Sequence, residues 1–376
     1  MRSREEIESA ARTLREVGQR ARVWLSMPVV EGVTPRILMD PARTEATEDP
    51  TGMERRDGIF ALDEAALSPL DHVALYGDGV FEGILIRNRS IFLYREHIER
   101  LDRSLAHVGI GLPMSRKMLT ERVLATCAEV DFPEGMAGYI RLVVTRGLGD
   151  LGINPKKCLS PTLFCIVSTI RLYSSDAYER GIPLGLARHM RRPGPETLNP
   201  NIKSNNYLNN VLALAEGTRG EGLVEALMLN RDGYVAEATV DNVFSIVKSE
   251  GWEADPGRVE IRTPTEEYCL VGITRDTVME LARQRGYRVT VRNDLLPIDF
   301  VGPGKECFMT GTGAGVMPIT SIEGVEVGDG KPGVVSKGLI TDIEAMMEDR
   351  AHGLPLETPV GEIDDYLSGR AVTGVR

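Results

Sequence analysis

The chain has 376 residues, enough for about two domains of ordinary size. Hydrophobic residues make up 42% and charged residues 26%, which is typical of a globular protein and excludes pervasive disorder. The net charge is −11, so the composition argues against a nucleic-acid partner and against an anionic membrane surface. An anionic ligand must therefore be held by a few well-placed groups.

The five cysteines are widely scattered and form no C-x-x-C pair. This spacing predicts a reducing compartment and gives no zinc signature, so we expect no metal centre. No apolar run approaches the roughly 18 residues that a membrane span needs. The charged N-terminus lacks the hydrophobic segment of a signal peptide. We therefore expect a cytoplasmic protein.

The first 55 residues are predicted to form an N-terminal extension. It begins with an amphipathic helix, because Ile7, Leu14 and Val17 recur at helical spacing. Over residues 56–190, short β-branched or aromatic runs alternate with helical patterns such as "REHIERLDRSLAHVG", which predicts a mixed α/β or α+β domain. The proline-rich stretch "RHMRRPGPETLNPN" then predicts an interdomain loop at 191–200.

Residues 201–345 are predicted to form a second, larger domain, and residues 346–376 a C-terminal tail. The pattern predicts a helix over about 205–217, a hairpin turned at Asp232-Gly233 and a strand at "NVFSIV". It continues with a helix at "TRDTVMELARQRG" and a strand at "ECFMT" that runs into the glycine-rich "GTGAG". A last helix is predicted around "LITDIEAMMEDR".

Lys203 lies just ahead of the helix predicted in "NPNIKSNNYLNNVLALAE", or in its first turn. A helix N-terminus disfavours a cation because its unpaired N–H groups carry partial positive charge. Desolvation would further favour the neutral amine, a nucleophile that can form a Schiff base with an aldehyde or ketone. By itself the residue fits an ordinary solvated lysine better than a catalytic one.

Glu237 closes the predicted strand "GYVAE". From a strand end, a carboxylate can point into a cleft and hold a protonated ring nitrogen, the role of the acidic partner of a pyridoxal phosphate ring. A solvated strand-end glutamate is the plain alternative.

Three features can bind a phosphate. The helix start at Gly272-Ile273-Thr274, with Thr274 as the predicted N-cap, offers free N–H groups. The loop "TGTGAGVMP" offers the Thr312 hydroxyl, and Arg100 is placed to turn inward beside apolar helix positions. The corresponding structural alternatives are a capped helix, a tight turn, and a surface pair of Arg100 with Glu96.

The glycine loop is not a dinucleotide fingerprint, because no helix follows it and Pro318 comes soon after.

Six stretches occur in an order that resembles class IV, or fold-type IV, pyridoxal-phosphate aminotransferases, and among them the branched-chain amino acid aminotransferases. The stretches are "YGDGVFEGI", "LYREHIERL", "NIKSNNYLNN", "EATVDNVF", "GITRD" and "FMTGTGAGVMP". The resemblance covers roughly residues 56–335. It implies an α/β (α+β) fold with a smaller N-terminal α/β domain, a larger β-rich C-terminal domain and pyridoxal 5'-phosphate between them.

The same resemblance implies a role for each candidate residue. Lys203 would carry the cofactor as a Schiff base and move the proton during transamination of an L-amino acid, such as leucine, isoleucine or valine, with 2-oxoglutarate. Glu237 would pair with the ring nitrogen, and Tyr207 would contact the cofactor. The implied phosphate ligands are Arg100, Ile273, Thr274 and Thr312, and the implied substrate residues are Tyr76, Phe81, Tyr139, Arg141 and Gly313. Active sites shared between subunits imply a homodimer or larger assembly.

Two departures from the family pattern leave the chemistry open. Leu85 replaces the arginine that follows "FEGI" in the family, and Tyr207 lies four residues after the lysine, where five is usual. Both leave the substrate identity open, and the position of Tyr207 is found in some D-amino-acid or lyase-like relatives. The alternatives are therefore a lyase acting on an aminodeoxychorismate-like substrate, a D-amino-acid aminotransferase, and a scaffold without enzymatic activity.

Overall fold

The computed structural model describes residues 4–133, 135–170, 173–220 and 222–370. The strands are β1 Arg22–Pro28, β2 Glu45–Glu48, β3 Glu54–Ala61, β4 Gly79–Arg87, β5 Ser90–Phe92, β6 Ala137–Thr145, β7 Leu163–Ile170, β8 Ile182–Arg191, β9 Glu225–Leu229, β10 Val235–Ala238, β11 Asn242–Lys248, β12 Val259–Pro264, β13 Arg288–Arg292, β14 Lys305–Gly311, β15 Gly315–Ile322, β16 Val325–Glu326 and β17 Gly353–Pro355. The helices are α1 Arg4–Arg20, α2 His72–Tyr76, α3 Tyr94–Val108, α4 Arg116–Ala128, α5 Ser175–Arg180, α6 Leu208–Gly217, α7 Ile273–Gln284, α8 Val334–Glu348 and α9 Ile363–Leu367. None of the described helices is both long and apolar enough to cross a membrane.

The chain divides into two compact units whose borders differ from the predicted ones. Unit 1 comprises residues 1–171, 204–206 and 349–376, and unit 2 comprises residues 172–203 and 207–348. The segment predicted as an N-terminal extension contributes β1, which pairs with β3 and β7 inside unit 1. The predicted tail contributes β17, which pairs with β5. Strand pairing between distant segments sets these borders, and local composition does not reveal it.

Unit 1 is built on an eight-stranded sheet in the order β17-β5-β4-β6-β7-β1-β3-β2, with every pair antiparallel. The central β4 and β6 pair over eight residues, from Gly79↔Thr145 to Ile86↔Gly138. Trp24, Ile84 and Ile140 are completely buried in this sheet, and Leu101 of α3 is buried with them. The unit is thus an α+β arrangement, as the sequence predicts.

The predicted N-terminal helix is present as α1, but its apolar face is not buried. Ile7 is 55% exposed and Leu14 is 71% exposed. The helical periodicity therefore located the element correctly, although these two side chains take no part in the core.

Unit 2 contains a nine-stranded sheet in the order β10-β9-β8-β15-β14-β11-β12-β13, with β16 paired to β15. It is mixed, because β8/β9, β8/β15 and β12/β13 are parallel and the other pairs are antiparallel. The aromatic rings of Phe244 and Phe308 stack in its core with centroids 4.7 Å apart. The hairpin predicted at Asp232-Gly233 joins β9 to β10, and Gly233 adopts the left-handed φ of 91° that this turn requires.

The predicted helix over about 205–217 begins later and buries a different face than its apolar pattern suggests. It starts at Leu208, with Tyr207 as N-cap. Leu208 and Val211 are 70% and 58% exposed, whereas Asn210 and Ala213 are buried. The Asn210 amide donates to the Thr239 carbonyl oxygen at 2.6 Å, so a polar contact fixes this helix where an apolar one was expected.

Glu306 of β14 caps the N-terminus of α8. One carboxylate oxygen accepts from the Ser336 backbone N–H at 2.8 Å and from the Ser336 hydroxyl at 2.7 Å. The other accepts from the Val335 N–H at 3.3 Å and from Lys248 Nζ at 3.0 Å. The negative charge lies at the positive end of the helix, which is the favourable arrangement.

We expect Glu306→Gln to lower the free energy of unfolding by about 1–3 kcal/mol, because the amide replaces one acceptor oxygen and leaves a buried donor unpaired. Chemical denaturation of the purified protein measures this. Glu280→Gln, on the exposed side of α7, is the matched control and should change the free energy by less than about 0.5 kcal/mol. Equal effects of the two substitutions would contradict the capping role.

Candidate active site

Lys203 lies in a loop, and not in the first turn of a helix. Helix α6 begins at Leu208, so the disfavoured position at a helix N-terminus, inferred from the sequence, does not apply. The Lys203 amine donates to the Tyr207 hydroxyl at 3.3 Å. The next residues are held in unit 1, where Ser204 bridges to Val80 and the Asn205 N–H donates to the Gly79 carbonyl oxygen at 2.8 Å. The contacts of these residues therefore fix the backbone directly after Lys203.

Glu237 is a buried carboxylate with an ion pair at one oxygen and hydrogen bonds at the other. It lies on β10, opposite Met228 of β9, and is 5% exposed. Oε1 pairs with Arg192 Nε at 2.5 Å. Oε2 accepts from Asn242 Nδ2 at 3.2 Å and from the Leu270 backbone N–H at 3.1 Å. The contacts to Oε2 are hydrogen bonds, whereas the contact of Arg192 Nε with Oε1 is a close ion pair without hydrogen-bond geometry.

The segment 270–274 connects these groups within unit 2. Leu270 donates its N–H to Glu237, and Val271 donates its N–H to Asn201 Oδ1 at 3.1 Å. Asn201 lies two residues before Lys203. The lysine loop and the glutamate are thereby attached to adjacent residues of one short segment, which then runs directly into α7.

Thr274 is not the N-cap that the sequence predicts. Gly272 is the N-cap, no side chain among the described residues caps the helix, and Thr274 is the second helical residue. A Cβ at Gly272 would come within 2.1 Å of Asn242 Oδ1, so the site excludes every side chain that could have capped the helix. The N–H groups of the first turn, including those of Ile273 and Thr274, have no partner within the helix. Free N–H groups of this kind attract an anion, and the phosphate-binding role of this helix start stays a prediction.

The glycine-rich loop is the tight turn of the β14–β15 hairpin, in which Gly311 pairs with Gly315. Thr312 and Gly313 lie in this turn. A Cβ at Gly311 would lie 1.7 Å from Asp241 Oδ1, so the Asp241 carboxyl lies directly over this glycine. Burial raises the pKa of Asp241 to about 7, and the neighbouring Glu225 adds to the rise.

Arg100 belongs to unit 1 and faces inward, as predicted, away from Glu96. Its Nε and Nη2 donate to the two oxygens of Glu82 on β4 at 2.8 and 2.7 Å, and His97 Nδ1 lies 2.7 Å from Glu82 Oε2. Burial alone raises the pKa of Glu82, but the Arg100 guanidinium and His97 outweigh it and hold the pKa at about 2. Arg100 is therefore a fixed cation.

Three of the four predicted substrate side chains of unit 1 lie together on the face shared by β4 and β6. The Arg141 guanidinium lies 4.4 Å from the centre of the Phe81 ring, and its Nη2 donates to the Tyr139 hydroxyl at 3.3 Å. No carboxylate pairs with Arg141 among the described residues. Tyr76 instead contacts the His72 ring and donates to the Leu151 carbonyl oxygen. Leu85, the departure from the family pattern, lies opposite Tyr139 in the sheet register.

Sequence reasoning missed Arg192, Asn242 and Asn201. Arg192 lies in a stretch that was interpreted as a linker, and Asn242 lies within the "EATVDNVF" motif, where only the glutamate was assigned a role. A signal for Asn242 was available, because an amide directly at the start of an apolar strand is unusual. Nothing local marks Arg192.

The donor set of unit 2 fits a phosphorylated pyridine aldehyde. It offers a lysine amine, a carboxylate bound by donors, and a helix N-terminus that no described side chain caps. The Thr310 hydroxyl on β14 is buried without a partner among the described residues.

The family model for class IV amino-transferases matches residues 79–322. The chain belongs to the class IV aminotransferases. This is a family of pyridoxal-phosphate enzymes, and the chain is an aminotransferase. A Methanocaldococcus jannaschii protein with a provisional assignment as a branched-chain-amino-acid aminotransferase is 38% identical over 276 residues, which is 73% of this chain and 89% of that protein.

Solved structures support the same family. The branched-chain amino acid aminotransferase of Escherichia coli superposes with a TM-score of 0.67 at 27% identity and covers 78% of this chain and 93% of its own. The 4-amino-4-deoxychorismate lyase from Pseudomonas aeruginosa superposes with a TM-score of 0.60 at 24% identity over 75% of this chain and 95% of its own. That second likeness reflects the shared fold alone.

The buried Glu82 predicts a stability contribution that depends on pH. Its pKa is lowered from 4.5 to about 2 in the folded state, so the contribution is complete above pH 4.5 and is lost as the pH falls towards 2. We expect the difference in unfolding free energy between wild type and Glu82→Gln to shrink by on the order of 3 kcal/mol across this interval. Denaturant unfolding at several pH values measures it. Glu99→Gln, on the exposed side of α3, is the control for the substitution itself. A constant difference between wild type and Glu82→Gln across these pH values would refute the prediction.

Proposed function

We propose that the protein transfers an amino group between a branched-chain L-amino acid (leucine, isoleucine or valine) and 2-oxoglutarate, with Lys203 as the Schiff-base lysine. The observation that carries this proposal is the segment 270–274. It binds Glu237, holds the loop of Lys203 through Asn201, and opens the anion-binding end of α7. These are the three groups that a pyridoxal phosphate site needs.

Each residue has a distinct part in this proposal. When bound, pyridoxal phosphate supplies the electron sink for the negative charge that forms at the substrate Cα. Lys203 attaches the cofactor and, once displaced, carries the proton to and from the Cα. Its hydroxyl neighbour Tyr207 keeps the amine in place. Glu237 holds the proton of the ring nitrogen.

We assign the phosphate to the N–H groups of Ile273 and Thr274, the Thr312 hydroxyl and the Arg100 guanidinium. The chain carries a net charge of −11, so a dianion must depend on such localised donors. The rigid Glu82–Arg100 pair supports this assignment, because it presents a cation with little rotamer entropy left to lose.

The substrate residues support an amino acid pair with one apolar and one acidic member. Phe81, Tyr139 and Leu85 give the shared face of β4 and β6 an apolar character suited to a branched aliphatic side chain. Arg141, which has no carboxylate partner among the described residues, suits the distal carboxylate of 2-oxoglutarate. We further assign Tyr76 to this pocket and the Gly313 N–H to the α-carboxylate.

We also propose a homodimer or larger homo-oligomer in the cytoplasm. The five cysteines are all free, which agrees with a reducing compartment.

The lysine gives the decisive test. Wild type incubated with pyridoxal phosphate should show visible absorbance that shifts on addition of leucine, and it should form glutamate from 2-oxoglutarate. Lys203→Ala should lose at least about 1,000-fold in kcat, because the covalent attachment and the proton carrier disappear together. Lys331→Ala, an exposed lysine of the same unit, is the control and should retain full activity.

Other outcomes would replace the proposal. Pyruvate release without an amino acceptor indicates the lyase, and a preference for D-amino acids indicates the D-amino-acid aminotransferase. A cofactor-bound protein without turnover on a broad panel of donors indicates a scaffold.

Arg141 gives a second prediction. Arg141→Met should raise KM for 2-oxoglutarate about 10- to 100-fold, because a hydrogen bond to a charged group contributes about 1.5–3 kcal/mol. KM for the keto acid of leucine should change much less, because that substrate has no distal carboxylate. Steady-state kinetics with both acceptors measures the difference, with Arg95→Met on α3 as control. A parallel rise in both KM values would contradict the assignment.

A further inference from the structure

Arg192 is the one guanidinium in the described part of unit 2 that pairs with Glu237. Its backbone N–H donates to the Leu229 carbonyl oxygen of β9 at 2.8 Å, and its Nε lies 2.5 Å from Glu237 Oε1. The register between β8 and β9 shifts after Ala187, so the chain is offset where β8 ends. This offset places the guanidinium beside β10, which lies on the other side of β9.

The pair is too deeply buried to be explained as a device for stability. The side chains of Arg192 and Glu237 are 9% and 6% exposed. Removing two charges from water costs more than their attraction usually returns, and apolar replacements of buried pairs are often neutral or stabilising. A buried arginine in this place therefore points to a functional requirement for the charge on Glu237.

Three contacts fix the orientation of the Glu237 carboxylate. Arg192 forms an ion pair at Oε1, while Asn242 Nδ2 and the Leu270 N–H donate hydrogen bonds to Oε2. Of these donors only Arg192 carries a charge. The two neutral donors can orient a carboxylate, but they do not compensate its charge.

Other ionisable groups around Glu237 make that compensation necessary. Glu225 lies on β9 and Asp241 lies in the turn before β11, and burial raises the pKa of both carboxyl groups, with further increases from neighbouring carboxylates. The thiol of Cys269, in the segment before α7, also has its pKa raised by burial and by Glu237.

Three cations act against this excess of negative charge. Lys203 lowers the pKa of Asp241, and Arg275 and Arg192 lower the pKa of Cys269. Arg275 pairs with Glu266 and Asp276, at 3.3 and 3.0 Å, so its charge is already compensated by other carboxylates. Arg192 is the cation in direct contact with Glu237.

We propose that Arg192 is a positioning residue of the proposed transamination: it holds Glu237 as an oriented carboxylate towards the ring nitrogen of the cofactor. The inference rests on the proposed function. Arg192 does not itself touch substrate in this proposal. It acts through Glu237, so its effect must disappear when Glu237 can no longer carry a charge.

The test is a double-mutant cycle with Arg192→Gln, Glu237→Gln and the double variant, each loaded with pyridoxal phosphate. Arg192→Gln should lower kcat about 10- to 100-fold, the range typical of a partner that orients a ligating group. KM for leucine should change by less than about threefold, because substrate binding is untouched. In the Glu237→Gln background the same substitution should change kcat by less than about threefold.

A second measurement does not depend on activity. The rate at which pyridoxal phosphate leaves the protein during dialysis, followed by its absorbance, should rise about tenfold in Arg192→Gln. Arg192→Lys, which keeps the charge but loses the planar Nε–H donor, should give an intermediate rate. Arg188→Gln is the matched control, because Arg188 lies on the same strand in an exposed pair with Glu323 and should leave both measurements unchanged.

The outcomes separate the two proposals. If wild type neither binds the cofactor nor transaminates, the proposed function fails and the inference fails with it. If wild type is active and Arg192→Gln matches it in kcat and cofactor release, only the inference is overturned. Arg192 likewise has a purely structural role if its substitution lowers only the thermal stability. The same conclusion follows if the fold-changes in kcat of the two single variants multiply fully in the double variant. Should Arg192→Gln not fold, wild-type values for Arg192→Lys overturn the inference.

Discussion

A buried carboxylate needs partners for both of its oxygens, and Glu237 finds them in three separate parts of unit 2. Arg192 comes from the end of β8, Asn242 from the start of β11, and the Leu270 N–H from the segment that leads into α7. Because an unpaired buried charge is strongly unfavourable, these three parts cannot move independently. The position of α7, and with it the start of that helix, follows from the same carboxylate.

The uncapped start of α7 is a consequence of this packing. Asn242 donates to Glu237 and to the Leu270 carbonyl oxygen, so its remaining amide oxygen lies against Gly272. No residue with a Cβ fits there, and therefore none of the usual capping side chains can occupy the position. The free N–H groups at this end, which attract an anion, thus arise from the contacts that hold the glutamate.

How well the sequence predicted each element depends on the sequence separation of the interactions that fix it. Helix α7, strand β11 and the β9–β10 hairpin follow from periodicity and turn chemistry over a few residues, and they were predicted correctly. The buried face of α6 was not, because a contact between Asn210 and the distant Thr239 decides it. Arg192 was hidden for the same reason: its partner Glu237 is distant in the sequence, and only the order β8-β9-β10 brings the two together.

Each unit contains a buried pair of an arginine and a glutamate, but the member of the pair that is proposed to bind the ligand differs. In unit 1 a buried carboxylate, Glu82, fixes the guanidinium of Arg100, and the proposed ligand of that cation is a phosphate. In unit 2 a buried guanidinium, Arg192, fixes the carboxylate of Glu237, and the proposed ligand of that anion is a protonated ring nitrogen. In each case one member of the pair serves the ligand and the other supplies the opposite charge. Each of these charges is thereby compensated before a ligand arrives, which lowers the cost of keeping it away from water.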